Sequence, residues 1–351
     1  MSQTTLTAKP DHPWKLTPKD LVTDFLGVLF TLVSTLAIVG FSPLKGKLGF
    51  ALTLIVMAIV TATVMSWIRL DRKAAINSST TVLVYIAASF VLIALTSVIY
   101  EIIKLGAPGF SLRIFTDDLA ETASDMPLTE GGLLHAVSGT AYIVTFATLI
   151  STPIGILTAL YIVEVKGRFA GTVRFFVQAM SGVPSIVAGL FIFALWMIQL
   201  GNAYSGIAGG FALTVLMIPT VARTAEEVLK LIPQDLREAG LALGATQWRT
   251  VAMVVIPAAR SGLITAVILG IARVVGETAP LLLTIGGADA INLNPTAGNM
   301  SAFPYYVWKN LLIGSENAIS RAWLGVFVLM ILVLIFFALA RYFGAAKGSR
   351  K

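Results

Sequence analysis

The residues best suited to chemistry in this chain are charged side chains that interrupt apolar stretches. Arg273 and Glu277 are the only charged residues between positions 261 and 288. An arginine fork matches the oxygen pairs of a tetrahedral oxyanion, and a nearby carboxylate keeps such an anion from being held too tightly to move on. Four residues apart on a helix, the two side chains share a face and can pair. The pattern indicates either an anion path or a buried structural pair.

A second group repeats this arrangement at the inner end of another apolar stretch, where Arg223 is followed by Glu226 and Glu227. Ionisable residues inside membrane spans are costly and mark functional sites by default. The alternative is that Arg223 anchors a helix end, with its charged head reaching the interface. The candidate path residues are Arg223, Glu226, Arg273 and Glu277.

The charged segment 223–260 has the pattern of a short helix that docks into a partner. We predict a helix over about 234–243, because Gly244 supplies the positive-φ residue that ends many helices. Thr246 can cap the next helix, which we expect to stop before Pro257.

The short helix has one narrow, apolar face, made by Leu236, Ala239, Gly240 and Leu243. Arg237 and Glu238 flank this face and are placed to pair across an interface. The alternative is an amphipathic helix on the bilayer surface, but such helices are richer in Trp, Phe and Lys.

Long apolar runs must position these residues. The chain of 351 residues is 57% hydrophobic and 12% charged, with a mean hydropathy of +0.87. A helix that crosses a bilayer needs roughly 20 apolar residues. We therefore predict an all-α, polytopic membrane bundle with eight spanning helices, at about 22–41, 49–67, 80–103, 137–163, 175–199, 207–222, 262–286 and 322–343.

The distribution of charge predicts the orientation. With both termini inside, most of the 25 Lys and Arg residues lie in inside segments, and the outside loop 105–136 is mainly acidic. Lys45 and Lys47 fall on the opposite side. We expect a multi-pass protein of the cytoplasmic membrane with both termini in the cytoplasm.

The organisation along the chain changes after residue 79, where helices become rich in Gly, Pro, Ser and Thr. Small residues allow membrane helices to approach closely. We predict an accessory two-helix hairpin with the N-terminal tail in 1–79, a transport domain in 80–343 that contains the segment 223–260, and a basic tail in 344–351.

Several function classes are disfavoured by what the sequence lacks. There is no cysteine, and only His12 and His135 are histidines, so neither a metal-ligand set nor a Ser-His arrangement is expected in the spans. No phosphate-binding G-x-x-x-x-G-K-[ST] loop is present. We expect no enzyme, no bound metal and no bound cofactor. A secondary anion transporter would carry inverted repeats, and none is visible.

The short helix and the segment that follows it support a family assignment. Glu238-Ala239-Gly240, Gly244 and Ile256-Pro257 resemble the EAA loop of ABC-importer permeases, with Gly240 where Ala is usual. The resemblance implies that this loop docks into a separate ATPase subunit, which binds the ATP. It implies that the coupling residues are Arg237, Glu238, Ala239, Gly240 and Gly244.

Other stretches narrow the resemblance. The stretch 271–282 is similar to the signature of phosphate ABC-importer permeases of the PstA type, as are the stretches 181–190, 223–227 and 300–305. The resemblance covers about 80–343. It implies a six-helix type I ABC-importer permease core, with two extra N-terminal transmembrane helices in this chain.

The same resemblance implies the assembly and the substrate. It implies a heterodimer with a PstC-type permease subunit, a dimer of PstB-type ATPase subunits and delivery by the extracytoplasmic phosphate-binding protein PstS. Arginines matching Arg223 and Arg273 are implicated in phosphate passage in that family. Chemistry alone leaves other oxyanions such as sulfate open.

Overall fold

The computed structural model describes residues 18–43 and 46–344. The predicted N-terminal tail up to residue 17, Lys45, and the basic tail beyond residue 344 lie outside the described residues. Within the described residues the chain is helical, and its one β-bridge joins Gly286 to Met300. The helices are α1 Pro18–Phe41, α2 Lys47–Arg69, α3 Arg72–Gly106, α4 Leu134–Leu160, α5 Ala170–Ser181, α6 Ser185–Ile192, α7 Gly206–Lys230, α8 Gln234–Ala242, α9 Gln247–Thr250, α10 Ile256–Val275, α11 Ala279–Thr284, α12 Phe303–Ile313 and α13 Glu316–Gly344.

Three π turns extend these helices. Tyr161–Val165 continues α4, Phe193–Gln199 continues α6, and Val251–Val255 joins α9 to α10. Two short 3₁₀ turns, Ala107–Gly109 and Leu112–Phe115, follow α3.

Seven helices of the described chain are long and apolar enough to span a membrane, and an eighth candidate is a bent pair. The predicted single helix at 175–199 is wrong: α5 and the extended α6 meet at a bend of 100°. The break falls at 182–184, where Pro184 has no backbone N–H and biases the preceding residue away from the helical region.

The predicted span at 262–286 is shifted toward the N-terminus. A continuous helical stretch runs through Gln247–Val275 and stops at Gly276. Thr246 caps it as predicted, its hydroxyl accepting from the Arg249 N–H at 3.4 Å. The predicted stop before Pro257 is wrong. Pro257 stands in the first turn of α10, directly after the π turn, so its missing donor falls where the helix is already irregular.

The described chain divides into two compact units within α3, between Ile99 and Tyr100. In the first unit α1 packs on α2, and most large apolar side chains are exposed, as on helices that face lipid. The predicted boundary after residue 79 stays a prediction, and α3 begins at Arg72 rather than near residue 80.

The second unit is built around α7, the most deeply buried of its spans. Its core joins α4, α7 and α10, with Ile143, Leu213, Met217 and Val274 fully or almost fully buried. Gly155 allows close approach here, since a Cβ on it would lie 2.8 Å from the side chain of Val221. Such contacts are the tight packing that the small residues predicted.

A cap of mostly irregular backbone links these helices at the end of the bundle away from α8. The Asp118 carboxylate accepts from the Ile291 N–H at 3.0 Å, and Asp289 pairs with Lys309. Arg321 is 2% exposed and donates to three backbone carbonyls of the 126–130 loop. These bonds tie the predicted outside loop 105–136 to the segment 289–321.

Candidate functional site

Arg223 and Arg273 lie over the same face of α7. Arg223 is exposed and donates to the hydroxyl of Ser181 at 3.3 Å. Arg273, on α10, is also exposed and donates to the hydroxyl of Thr220 at 2.9 Å. Thr220 precedes Arg223 by three residues, so on a helix the two are neighbours. The fold thus brings together two arginines that are 50 positions apart.

The predicted pair between Arg273 and Glu277 is wrong. Helix α10 ends at Val275, and Glu277 lies in the following turn, where its N–H donates to the Val274 carbonyl at 3.2 Å. Both residues are described, and no ion pair joins them. Side chains four residues apart face each other only within a continuous helix, and Gly276 interrupts this one. Arg273 therefore keeps its charge without a carboxylate partner in the described chain.

The predicted pair between Arg223 and Glu226 or Glu227 is also wrong. Glu226 is 4% exposed and binds Arg174 of α5 at 2.8 Å and Lys230 at 2.9 Å. Glu227 binds Lys230 at 2.9 Å. Glu226 is buried, as Ala225 is, and its carboxylate binds cations of α5 and of the last turn of α7 rather than Arg223. It fastens α5 to α7, and this geometry does not favour its predicted place on a substrate path.

The short helix predicted at 234–243 forms as α8, Gln234–Ala242, and Gly244 has the predicted positive φ, at 81°. The apolar face of α8 is partly exposed and partly buried. Leu236 and Leu243 are 42% and 89% exposed and Ala239 is exposed, but Gly240 is buried. A Cβ on Gly240 would lie 2.8 Å from the Thr250 side chain. Gly240 therefore packs within the chain, and the exposed face consists of Leu236, Ala239 and Leu243.

Arg237 binds within the chain, which corrects the prediction that it pairs across an interface. Its guanidinium donates to the Glu164 carboxylate at 2.7 Å and to the carbonyls of Leu229 and Ile232. The side chains of Arg237 and Glu164 are 15% and 6% exposed. Glu238 is exposed. Arg237 thus fastens α8 to the end of α4.

Sequence reasoning missed the partners of these residues. Glu164, Arg174, Ser181 and Thr220 belong to other elements than the residues they bind. Glu164 carried a signal, because it is the one carboxylate at the inner end of the predicted 137–163 span. Hydroxyls carry no such signal, since Ser and Thr are frequent throughout these helices.

The fold and the site together define a class: a multi-pass α-helical membrane protein with two exposed arginines beside its central helix, one from α7 and one from α10, and a short, exposed, apolar-faced helix between two spans. The family described as "Binding-protein-dependent transport system inner membrane component" matches residues 151–347. The chain belongs to this family, and its architecture is the type I permease fold of that family's transporters.

Relatives agree over most of the chain. The "Phosphate transport system permease protein PstA" of Mycobacterium leprae is 38% identical over 290 residues, covering 82% of this chain and 93% of the relative. The protein of the same name from Pasteurella multocida is 37% identical over 268 residues, with 76% and 93% covered. The "Phosphate transport system permease protein PstA 1" of Mycobacterium tuberculosis is 42% identical over 204 residues, with 58% and 67% covered.

Solved structures are more distant. The inward-facing MetNI methionine ABC transporter is 23% identical, with a TM-score of 0.49 over 61% of this chain and 93% of that one.

Proposed function

We propose that this chain is the permease subunit of an ATP-driven importer and forms half of the path that carries inorganic phosphate into the cytoplasm. The observation that carries the proposal is a pair of exposed arginines over one face of α7, Arg223 of α7 itself and Arg273 of α10. Each donates to a hydroxyl, and neither is paired with a carboxylate among the residues that the structure describes. Two guanidinium groups without counter-charges suit a tetrahedral, doubly charged oxyanion.

Transport requires that the anion is not bound too strongly. Neutral hydroxyl partners orient the two guanidinium groups and leave donors available to a passing anion. Exposed side chains keep part of their hydration, which limits the affinity of such a site. Glu277 lies just beyond the end of α10, within the same region of chain as Arg273, and we retain it as a candidate that tempers the positive charge.

Phosphate rather than another oxyanion is supported by the names of the relatives at 37–42% identity. Sulfate has the same shape and charge and remains the second candidate on chemical grounds. In a binding-protein-dependent importer, the delivering protein selects the anion before it reaches the membrane path.

The energy source would be a separate ATPase subunit, so this chain would itself not be an enzyme and would hold no cofactor. Helix α8 offers the docking surface, because Leu236, Ala239 and Leu243 are exposed together beside Glu238. Arg237, Gly240 and Gly244 would act from within the chain by fixing the position and the end of α8.

The face with the two arginines would be completed by a second permease subunit of the PstC type. The other partners would be a dimer of PstB-type ATPase subunits and the extracytoplasmic binding protein PstS. Both termini, and with them α8, would lie on the cytoplasmic side.

The proposal is tested by uptake of radiolabelled phosphate and sulfate into vesicles that contain the reconstituted complex. ATP is supplied on the side of the membrane where the ATPase subunit lies. We expect Arg223→Gln and Arg273→Gln each to reduce phosphate uptake roughly tenfold or more, because each removes a charge-assisted contact. Arg260→Gln, at an exposed position on the same helix as Arg273, is the matched control and should transport normally.

Undiminished phosphate uptake in both arginine variants would remove these residues from the path. Uptake of sulfate in preference to phosphate by the unmodified complex would contradict the substrate assignment.

A further inference from the structure

A small pocket at the end of the bundle that carries α8 is lined by four cationic side chains. Its volume is about 230 Å³, and its lining consists of Lys166, Arg174, Lys230 and Arg237 with Gln234, Ile162, Val163 and Ile232. No acidic residue is in this lining. The four cations come from the end of α4, from α5, from α7 and from α8, so the fold brings positively charged side chains from four elements to one place.

The carboxylates near this pocket pair with three of its four cations. Glu226 binds Arg174 and Lys230, Glu227 also binds Lys230, and Glu164 binds Arg237. Lys166 has no carboxylate within 4.0 Å in the described part of the chain. Lys166 is exposed.

The local backbone adds to the positive electrostatic potential of the pocket. Helix α8 starts at Gln234, and no side chain caps its first N–H groups. Such a helix start favours negative charge, which Asp235 in its first turn supplies in part. Lys166 itself has φ of 50°, which makes it the one residue other than glycine with positive φ in the described chain. The lysine therefore ends the π turn in a conformation that Asn and Gly also adopt readily.

We propose that this pocket is an anion site, distinct from the face of Arg223 and Arg273, which takes a phosphate group. The group is supplied either by inorganic phosphate or by the headgroup of an anionic phospholipid, since both present the same oxygen atoms to guanidinium and ammonium donors. The volume is ample for one such group with ordered water.

The position of the site gives it a consequence for coupling. Arg237 lines the pocket and also fastens α8 to Glu164. A bound anion competes with Glu164 for the guanidinium, so occupancy acts on the residue that holds α8. This inference goes beyond the proposed transport function and does not depend on it.

The experiment uses the full chain in lipid nanodiscs, on the background Arg223→Gln with Arg273→Gln, which removes the proposed path residues. One arm uses phosphatidylcholine alone and titrates inorganic phosphate by ³¹P NMR line broadening. The other arm contains phosphatidylglycerol without free phosphate, and native mass spectrometry measures the lipid retained.

The informative variants are Lys166→Asn and Lys166→Gly, which remove the charge and keep a residue suited to positive φ. The matched control is Arg168→Gln, which removes an exposed charge two residues away whose guanidinium stacks on Phe169 at 4.5 Å. Size-exclusion profiles exclude misfolding.

We expect both Lys166 variants to weaken binding roughly tenfold in at least one arm, with no change in Arg168→Gln. A response in the phosphate arm identifies free phosphate as the ligand, and a response confined to the phosphatidylglycerol arm identifies the headgroup. The inference is overturned if the Lys166 variants match Arg168→Gln in both arms. It is also overturned if the protein that carries Arg223→Gln and Arg273→Gln alone binds neither ligand. Failure of the transport proposal would appear separately, as unimpaired uptake in the arginine variants.

Discussion

At the residue scale, the charges of this chain divide into those that hold the fold and those left available. The side chains of Glu226 and Glu164 are buried and bind cations from distant elements. Arg223 and Arg273 are exposed and, within the described residues, donate to hydroxyls. The sequence alone indicated which residue types matter. It did not indicate which of them were partners, because partnership depends on the side of the helix and on where each helix ends.

The fastening role of Glu226 makes a stability prediction. Glu226→Gln leaves Arg174 and Lys230 without their buried partner, and we expect a loss of about 1–3 kcal/mol, since charged hydrogen bonds contribute that much and both cations are partly exposed. The measurement is the thermal midpoint of the detergent-solubilised protein. Glu227→Gln, at an exposed position that shares Lys230, is the control. Equal midpoints for the two variants would refute the anchoring role.

At the element scale, α8 is positioned by two contacts on its inner side. Arg237 binds Glu164 at the end of α4, and Gly240 lies against Thr250 of α9. The exposed apolar side is thereby turned outward. Helix α8 was predictable because Gly244 and the apolar spacing are local signals. The inward turn of Gly240 was not, since it depends on the path of the chain through α9.

The contact between Arg237 and Glu164 makes a prediction about how ATP hydrolysis is coupled to transport. We expect Arg237→Gln, Glu164→Gln and the double variant to hydrolyse ATP while moving less phosphate for each ATP, by roughly tenfold, because a charge-assisted pair no longer holds α8. The readout is the ratio of phosphate uptake to ATP hydrolysis in the same vesicles. If the two residues act as a pair, the double variant is no worse than either single variant. Additive losses would show that they act independently.

The breaks in the helices explain most of what the sequence did not predict at this scale. A run of apolar residues at 175–199 indicated one span, but Pro184 and its neighbours divide it at 100°. Likewise Gly276 ends α10 before Glu277. Hydropathy measures where residues are apolar, and a break of three residues hardly changes it.

At the scale of the whole molecule, the class of protein was predictable because it follows from long apolar runs and their number. Six of the eight predicted spans occur as single helices in the described chain, whereas the one predicted at 262–286 is shifted and the one at 175–199 is bent. The arrangement of α4, α7 and α10 was beyond reach, since many helix packings satisfy the same hydropathy. The family match over residues 151–347 then identified the type of transporter.

The central claim is that this chain imports phosphate only together with a separate ATPase subunit. The direct measurement is phosphate accumulation in vesicles that contain both permease subunits, with and without the ATPase subunit, under an imposed ion gradient and with ATP supplied. We predict accumulation that requires both the ATPase subunit and ATP and is insensitive to collapse of the gradient. Accumulation driven by the gradient in vesicles without the ATPase subunit would contradict the claim.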